Sequence, residues 1–288
     1  MKSIGVILAG GSGTRMYPIT LSTNKHLLPI YSKPMIYYSL ATLLYAGERE
    51  IVLVTDSNNK KSFKNLLGDG SKFGINIQYA FQDKPDGLAS ALLSAKHLLK
   101  GKKVKVILGD NIFHGKGLEK FLEGTAEKND NVLFSQKVNN PENLGILKRS
   151  DFGEPEIIIE KPKEFVSNEA ILGLYYYDTD LISLINQLKP SVRGELEITD
   201  LNNLYLQNKK MEVINIGRGI TWYDAGTIQD LHSVSSFIQS IESQQLTLIS
   251  SIEEIVLKKN YISESQFIKL AKNYKNTNYG EKLLKILE

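Results

Sequence analysis

The chain has 288 residues, of which 42% are hydrophobic and 23% are charged. These values are typical of a globular protein and exclude a disordered or collagen-like chain. Thirty-five Lys and Arg stand against 32 Asp and Glu, and so small a basic excess argues against a nucleic-acid-binding protein. The chain has no cysteine, which excludes disulfides, iron–sulfur clusters, thiolate zinc sites and a cysteine nucleophile.

The N-terminus does not resemble a signal peptide, because Met1-Lys2-Ser3 leads directly into a short apolar run. No apolar run reaches the roughly 18 residues that a membrane helix needs. We therefore expect a soluble, cytoplasmic protein that has neither a membrane nor a nucleic acid as its partner.

Short apolar runs alternate with helical patterns in the first half of the chain. In chain order they predict a strand at 4–8, a helix at 35–45 between Pro34 and Gly47, strands at 51–55 and 75–79, a helix at 88–99, and strands at 104–108 and 131–138. This rhythm predicts a Rossmann-like α/β fold, in which helices flank a mostly parallel sheet. Ligands bind beyond the carboxyl ends of the strands in such sheets.

The pattern changes after about residue 140. It predicts a hairpin from 145–147 and 157–159 around Asp151-Phe152-Gly153, a strand at 170–177, a helix at 181–188 stopped by Pro190, a helix capped by Thr199, a strand at 211–216 and a long helix at 226–243. Helical spacing also follows residue 251. We expect a core over 1–250, with parts near 1–140 and 141–227, and a C-terminal helical appendage over 251–288.

A glycine-rich loop follows the first strand and reads Leu8-Ala9-Gly10-Gly11-Ser12-Gly13-Thr14-Arg15. Glycines allow backbone N–H groups to approach an anion, so a phosphate-binding loop is the functional interpretation, and a structural turn is the alternative. A Walker A loop would end in Gly-Lys-Ser/Thr, and a dinucleotide-binding loop would have a third glycine at Met16. Neither pattern is present, which argues against a P-loop protein and a Rossmann oxidoreductase.

Further short motifs follow this loop at intervals along the whole chain. They are Lys25-His26-Leu27-Leu28-Pro29, Lys33-Pro34-Met35-Ile36, Asp86-Gly87-Leu88-Ala89, Leu108-Gly109-Asp110-Asn111, Glu160-Lys161-Pro162, Arg193-Gly194-Glu195 and Trp222-Tyr223-Asp224-Ala225-Gly226. Together with the loop they resemble the sugar-1-phosphate nucleotidyltransferase family, and most closely its thymidylyl-transferring members. The resemblance implies the GT-A-like nucleotidyltransferase fold, with a nucleotide-binding part before the change in pattern and a sugar-binding part after it.

The resemblance implies Mg²⁺-dependent transfer of a thymidylyl group from dTTP to glucose 1-phosphate, which gives dTDP-glucose and pyrophosphate at the start of dTDP-rhamnose and deoxysugar synthesis for surface polysaccharides. The alternatives are a uridylyltransferase or another sugar-1-phosphate nucleotidyltransferase, and, in a different class, a catalytically silent nucleotide-sugar sensor. The attacking phosphate is already anionic, so the site needs cations and positioning more than a base.

The resemblance assigns residues to each task. It implies catalytic roles for Arg15, Lys25, Asp110 and Lys161, nucleotide contacts at Leu8, Gly10, Gly11, Gly13, Thr14, Arg15, Gln82 and Gly87, sugar-phosphate contacts at Gly145, Glu160, Lys161, Gly173, Arg193 and Glu195, and magnesium ligands at Asp110 and Asp224. The residue types suit these tasks, because arginine offers a fork of donors to phosphate and Mg²⁺ prefers hard oxygen ligands. From the residues alone, Asp224 is equally a turn residue, Gln82 a solvated side chain and Glu160-Lys161 an exposed strand end.

The sequence departs from the family pattern at a few positions. His26 stands where glutamine is usual, and Leu144 stands where tyrosine is common, which puts one polar contact near the sugar in doubt. Glu119 and Lys258-Lys259-Asn260 differ at the surface that forms a second nucleotide-sugar site in the family. The resemblance nevertheless implies a homotetramer and possible feedback inhibition by dTDP-rhamnose.

Overall fold

The computed structural model describes residues 2–245 and 247–288. Its strands are β1 (Ser3–Leu8), β2 (Pro29–Ile30), β3 (Lys33–Pro34), β4 (Glu50–Thr55), β5 (Asn76–Phe81), β6 (Lys103–Leu108), β7 (Asn111–Gly115), β8 (Val132–Lys137), β9 (Gly145–Arg149), β10 (Pro155–Glu160), β11 (Glu169–Tyr177), β12 (Glu212–Asn215) and β13 (Ile220–Asp224). Its helices are α1 (Ile36–Tyr45), α2 (Lys60–Leu67), α3 (Leu88–Ser94), α4 (Lys96–Leu99), α5 (Leu118–Lys128), α6 (Leu181–Ile185), α7 (Ile198–Gln207), α8 (Ile228–Gln244), α9 (Ile252–Lys258), α10 (Glu264–Lys272) and α11 (Asn278–Leu284).

The central sheet runs in the order β10-β9-β11-β6-β1-β4-β5, and β8 joins β11 to β12. Strands β6, β1, β4 and β5 are parallel, whereas β11 is antiparallel to β6, β8 and β9. The predicted α/β class with a mostly parallel sheet is therefore confirmed, and the antiparallel strands lie in the second half, where the sequence pattern changes.

Successive residues of β1 face opposite sides of the sheet, as the pleat requires. Ile7 packs into a core beneath α1, α5 and the C-terminal helices, and Val6 and Leu8 pack into a second core beneath α3, α6 and α7. All three side chains are buried. Both faces of the sheet are thus covered by helices, which explains why β1 reads as a continuous apolar run.

Several boundaries differ from the prediction. Pro34 belongs to β3 and does not open the helix, since α1 starts two residues later at Ile36. The predicted helix at 88–99 is interrupted at Ala95 into α3 and α4, and the one at 181–188 continues only as turns after α6. Thr199 is not a cap, because Glu197 holds the N-cap position of α7.

The C-terminal helices α9, α10 and α11 pack on the core, as their apolar spacing predicts. Val256 on α9 and Phe267 on α10 are fully buried in the same core as Leu40 of α1. The division into a core over 1–250 and an appendage over 251–288 stays a prediction. No helix within the described residues is both long enough and apolar enough to cross a membrane.

A buried ion pair fastens the short β2–β3 hairpin to α8. Lys33 Nζ lies 2.9 Å from Glu242 Oε1, and both side chains are almost completely excluded from solvent. The same carboxylate accepts hydrogen bonds from Ser32 Oγ and from the backbone N–H of Ile249. Burial lowers the pKa of Lys33 despite the attraction of Glu242. Such a pair is costly to break from one side, because the remaining charge stays buried.

We expect Lys33→Met to lower the free energy of unfolding by about 3 kcal/mol, since it strands the Glu242 carboxylate. The double variant Lys33→Met/Glu242→Leu should recover most of that loss. The matched control is Lys210→Met, which breaks the exposed 2.8 Å pair with Asp180 and should cost less than about 1 kcal/mol. Urea titration of the three variants measures each change, and equal costs for Lys33→Met and Lys210→Met would contradict the expectation.

Candidate active site

Two neighbouring parallel strands end at the mouth of a cleft. Leu8 of β1 and Leu108 of β6 are register partners, and the N–H of Gly109 donates to the carbonyl of Leu8 at 2.9 Å. The glycine loop that follows Leu8 and the Asp110 that follows Gly109 therefore leave the sheet side by side. This is the edge at which α/β sheets bind ligands.

The glycine loop has a backbone that favours glycine. Gly11 and Gly13 have φ angles of 96° and 62°, in the left-handed region that other residues rarely adopt. Thr20 Oγ1 donates to the Gly13 carbonyl at 2.7 Å and so fixes the end of the loop. Within the described residues the N–H groups of Gly10, Gly11 and Gly13 have no protein acceptor, which leaves a row of donors suited to phosphate oxygens.

Two cations and two carboxylates meet beside this loop. Lys25 Nζ forms an ion pair with Asp110, and both side chains are mostly buried. A Cβ atom on Gly226 would lie 3.2 Å from Asp224 Oδ1 and 3.4 Å from both terminal nitrogens of Arg15. Arg15 and Asp224 therefore approach each other over Gly226, where the absence of a side chain makes room for them.

The two carboxylates come together through a short antiparallel ladder that the sequence did not predict. In this ladder β7 pairs with β13, Asp224 is opposite Asn111, and the Ala225 N–H donates to the Asp110 carbonyl at 2.9 Å. Burial and the neighbouring Asp110 charge raise the pKa of Asp224 to about 7. Burial alone would also raise the pKa of Asp110, but the Lys25 ammonium holds it well below its usual range.

These two carboxylates have the chemistry to hold a divalent cation. Mg²⁺ is usually held by one or two carboxylates and takes its remaining ligands from water and substrate phosphates. Across 2–245 and 247–288, no group of three or more His, Cys, Asp or Glu side chains could enclose a metal ion. The raised pKa of Asp224 signals that its negative charge is poorly compensated by the protein, and a divalent cation shared with Asp110 would supply that compensation.

The opposite wall of the cleft is built by β9, β10 and β11. Gly145 is the register partner of Glu160, whose Oε2 accepts from Thr199 Oγ1 at 2.7 Å. Lys161 follows with a φ of 45°, and its Nζ lies 3.6 Å from Glu160 Oε1. A Cβ atom on Gly173 would lie 2.6 Å from Asn111 Oδ1, so only glycine fits there.

Asn111 connects the two sides of the cleft, a role that sequence reasoning missed. Its Nδ2 donates to Asp110 Oδ1 at 3.0 Å, and its Oδ1 accepts from the Gly173 N–H at 3.0 Å and from Trp222 Nε1 at 2.6 Å. The side chain is buried. The Gly-Asp-Asn motif marks Asn111 in the sequence. Two of its three partners, Gly173 and Trp222, are distant in the chain, so the sequence does not show that they meet.

The cleft has a volume of about 250 Å³ and contains most of the residues that the resemblance implied. Its lining includes Leu8, Gly10, Arg15, Lys25, Asp110, Gly145, Glu160, Lys161, Gly173 and Asp224, together with Thr199 and Trp222. A second cleft beyond Lys25 is lined by Gly11 and Gln82. Gly87 lies beside Gln82, whose Nε2 donates to the Gly87 carbonyl at 2.9 Å.

Five expected residues, Gly13, Thr14, Gly87, Arg193 and Glu195, line neither cleft. Arg193 is exposed, and its guanidinium donates to Glu197 Oε1 at 2.8 Å. Glu195 lies in the same loop, where its carbonyl accepts from the Ser191 N–H at 2.8 Å. The sugar-phosphate roles of Arg193 and Glu195 therefore stay predictions.

His26, the departure beside Lys25, is buried in the floor of the cleft. Its Nδ1 lies 2.7 Å from Asn24 Oδ1, and Asn24 Nδ2 donates in turn to the Ala9 carbonyl at 3.1 Å. Burial and the Lys25 charge lower the pKa of His26 to about 3. The imidazole is therefore neutral near pH 7 and braces the glycine loop.

The fold and this cleft define a nucleotide-transferring enzyme, and the Nucleotidyl transferase family matches residues 4–241. The chain belongs to that family. It is 43% identical over 285 residues to a glucose-1-phosphate thymidylyltransferase of Neisseria meningitidis, with 99% of both chains covered. It is 42% identical over 284 residues to the enzyme of the same name from Mycobacterium tuberculosis, again with 99% of both covered.

Solved structures give the same picture. A putative glucose-1-phosphate thymidylyltransferase from Bacillus anthracis superposes with a TM-score of 0.74 at 39% identity, covering 82% of this chain and 94% of its own. A UDP-glucose pyrophosphorylase complexed with UDP-glucose gives a TM-score of 0.73 at 22% identity, covering 85% of this chain and 100% of its own. The latter likeness extends to the fold alone. The expected resemblance to sugar-1-phosphate nucleotidyltransferases is confirmed.

Proposed function

We propose that this enzyme transfers a thymidylyl group from dTTP to glucose 1-phosphate and releases pyrophosphate. The observation that supports this most directly is the placement of Arg15, Lys25 and the Asp110–Asp224 pair between a glycine loop and a wall of polar sugar-facing groups. Two polyanions can meet there only because cations lie between them. The near-complete alignment with thymidylyltransferases favours dTTP over UTP as the donor.

The reaction is an in-line displacement that requires no protein base. An oxygen of the sugar phosphate attacks the α-phosphorus, a new P–O bond forms, and the bond from the α-phosphorus to the bridging oxygen breaks as pyrophosphate leaves. The Arg15 guanidinium stabilises the negative charge that builds on the leaving pyrophosphate, and Lys25 adds a second positive charge beside it. The N–H groups of the glycine loop hold the triphosphate in line.

Magnesium bound by Asp110 and Asp224 would polarise the phosphoryl oxygens and orient both phosphates. On the acceptor side, the Lys161 ammonium binds the sugar phosphate, and Glu160 accepts hydrogen bonds from sugar hydroxyls. Gly145 and Gly173 let the sugar lie against the backbone. Thr199 keeps the Glu160 carboxylate turned toward the sugar through its 2.7 Å hydrogen bond.

The test is pyrophosphate release by purified protein with Mg²⁺ and glucose 1-phosphate, using dTTP, UTP, CTP, ATP and GTP in parallel. Fast release with dTTP and much slower release with the others supports the proposal. Comparable rates with UTP would keep the reaction and withdraw the thymidylyl assignment. Silence with all five would overturn the proposal and favour a nucleotide-sugar sensor. We place the reaction in the cytoplasm, where nucleoside triphosphates are made, and expect a homotetramer by light scattering.

We also propose that the pathway end product, dTDP-rhamnose, inhibits the enzyme at a second site. A separate pocket of about 230 Å³, lined by Tyr45, His114, Glu119 and Lys258, supports this. Lys259 bridges α9 to α5 through ion pairs with Glu119 and Glu123, so a ligand there would act on the packing of both helices. Saturating dTDP-rhamnose should lower the rate about fivefold or more. An unchanged rate would exclude this regulation.

A further inference from the structure

The side-chain amide of Gln82 is held in one orientation. Its Nε2 donates to Asp86 Oδ1 at 2.7 Å and to the Gly87 carbonyl at 2.9 Å. A carbonyl oxygen has no hydrogen to donate, and neither has an ionised carboxylate. If the amide turned over, Oε1 would face two other oxygens, so the NH₂ group must occupy this side.

Asp86 is ionised and well anchored. Burial alone would raise its pKa, but hydrogen bonds from Gln82 and Ser90 hold the pKa below its ordinary value. The Asp86 carbonyl accepts from the Leu196 N–H at 2.8 Å, and the Leu196 carbonyl accepts from the Ala89 N–H at 3.1 Å. The loop that carries Asp86 is therefore fastened to the segment before α7.

The fixed orientation turns Gln82 Oε1 toward the glycine loop. A Cβ atom on Gly10 would lie 3.7 Å from this oxygen. The nucleotide site therefore presents an acceptor, and not a donor, at this position. A base that offers an N–H group there forms a hydrogen bond, whereas a base that offers a lone pair meets repulsion between two acceptors.

The pyrimidines differ in this respect. Thymine and uracil carry a hydrogen on N3, whereas the N3 of cytosine carries a lone pair. We propose that Asp86 is a positioning residue that fixes the Gln82 amide, so that the site selects thymine or uracil against cytosine. The inference rests on the proposed nucleotide site, but it assigns to Asp86 a role in base choice that needs no contact between Asp86 and the substrate.

The test compares kcat/KM and equilibrium Kd for dTTP and dCTP in the wild type, Asp86→Asn and Asp86→Ala. Alanine at position 86 removes one of the two acceptors that hold the Gln82 NH₂ group, whereas asparagine can still present its amide oxygen to Gln82 Nε2. We expect the dTTP-to-dCTP preference to fall about tenfold in Asp86→Ala and less in Asp86→Asn. The dTTP-to-UTP ratio should stay within twofold, because both bases carry the N3 hydrogen.

Two further variants separate positioning from general disruption. Asp83→Asn changes an exposed carboxylate three residues earlier, which bonds Ser57 and not Gln82, and should leave the base preference unchanged. Gln82→Ala should remove the preference altogether. An unchanged preference in Asp86→Ala, alongside a lost preference in Gln82→Ala, would overturn the role of Asp86. Equal binding of dTTP and dCTP by the wild type would overturn it too. If the wild type binds dTTP selectively but transfers nothing, the proposed reaction fails, and the Kd ratios still decide the inference.

Discussion

Replacing Asp110 with asparagine is expected to lower kcat for pyrophosphate release by about a thousandfold or more. Asparagine keeps the size of the side chain but removes the charge that pairs with Lys25 and that would hold Mg²⁺ together with Asp224. The change also leaves Lys25 without its partner in a buried position, so both the metal and the cation beside the phosphates are affected.

The measurement is single-turnover pyrophosphate release, together with dTTP binding at several Mg²⁺ concentrations. The variant should bind dTTP with little dependence on Mg²⁺, which distinguishes a lost metal ligand from a general defect. Asp130→Asn is a suitable control, because Asp130 is an exposed carboxylate that pairs with Lys103 at the surface. Substantial turnover by a correctly folded Asp110→Asn variant would contradict the assigned role. A sensor, by contrast, would have no turnover to lose.

Replacing Arg15 is the second change with a large expected effect. Lysine keeps the positive charge but loses the planar fork of donors, so we expect Arg15→Lys to lower kcat by about a hundredfold. The KM for dTTP should rise much less, because the charge on the leaving group develops only in the transition state. Arg15→Ala should lose about tenfold more than Arg15→Lys.

The kcat and KM values for dTTP, measured for both variants, check this expectation. Arg218→Lys provides a control at an exposed arginine outside the cleft lining. A rise in KM with an unchanged kcat would mean that Arg15 binds the ground state and does not act on the leaving group. The pKa of Asp224 is a second readout. Arg15→Ala removes a positive charge that lowers this pKa, so the pKa should rise further in that variant.

The sequence predicted the parallel part of the sheet best. β1 and β4 are nearly continuous apolar runs because helices cover both of their faces. β6 keeps the same character apart from Lys103 and Lys105. The pattern could not predict α2, in which only Phe63 and Leu67 are buried, because a helix with so narrow an apolar face resembles a polar loop. Tertiary contacts, and not local propensity, decide such elements.

In the site too, the local features could be predicted from the sequence and the long-range contacts could not. The glycine loop is local, so its residues alone predict its backbone and its free donors. The meeting of Asp110 and Asp224 depends on the β7–β13 ladder, which joins strands far apart in the chain and has no signature within either strand. The role of Arg193 stays a prediction, because its guanidinium pairs with the nearby Glu197 and no contact of Arg193 with the described residues points to the sugar phosphate.

The β7–β13 ladder also bears on how far this enzyme can change without losing its chemistry. Side chains alternate between the two faces of a strand, so a slip of one residue would turn Asp224 away from Asp110. The pairing of Trp222 with Phe113 helps to prevent such a slip. The chain segment between β7 and β13 carries the cleft wall that β9, β10 and β11 build, and both ends of the segment lie at the β7–β13 ladder. Because β8 and β11 of this segment belong to the central sheet, only the loops between its strands can change length to accommodate a different sugar while the phosphate chemistry stays in place.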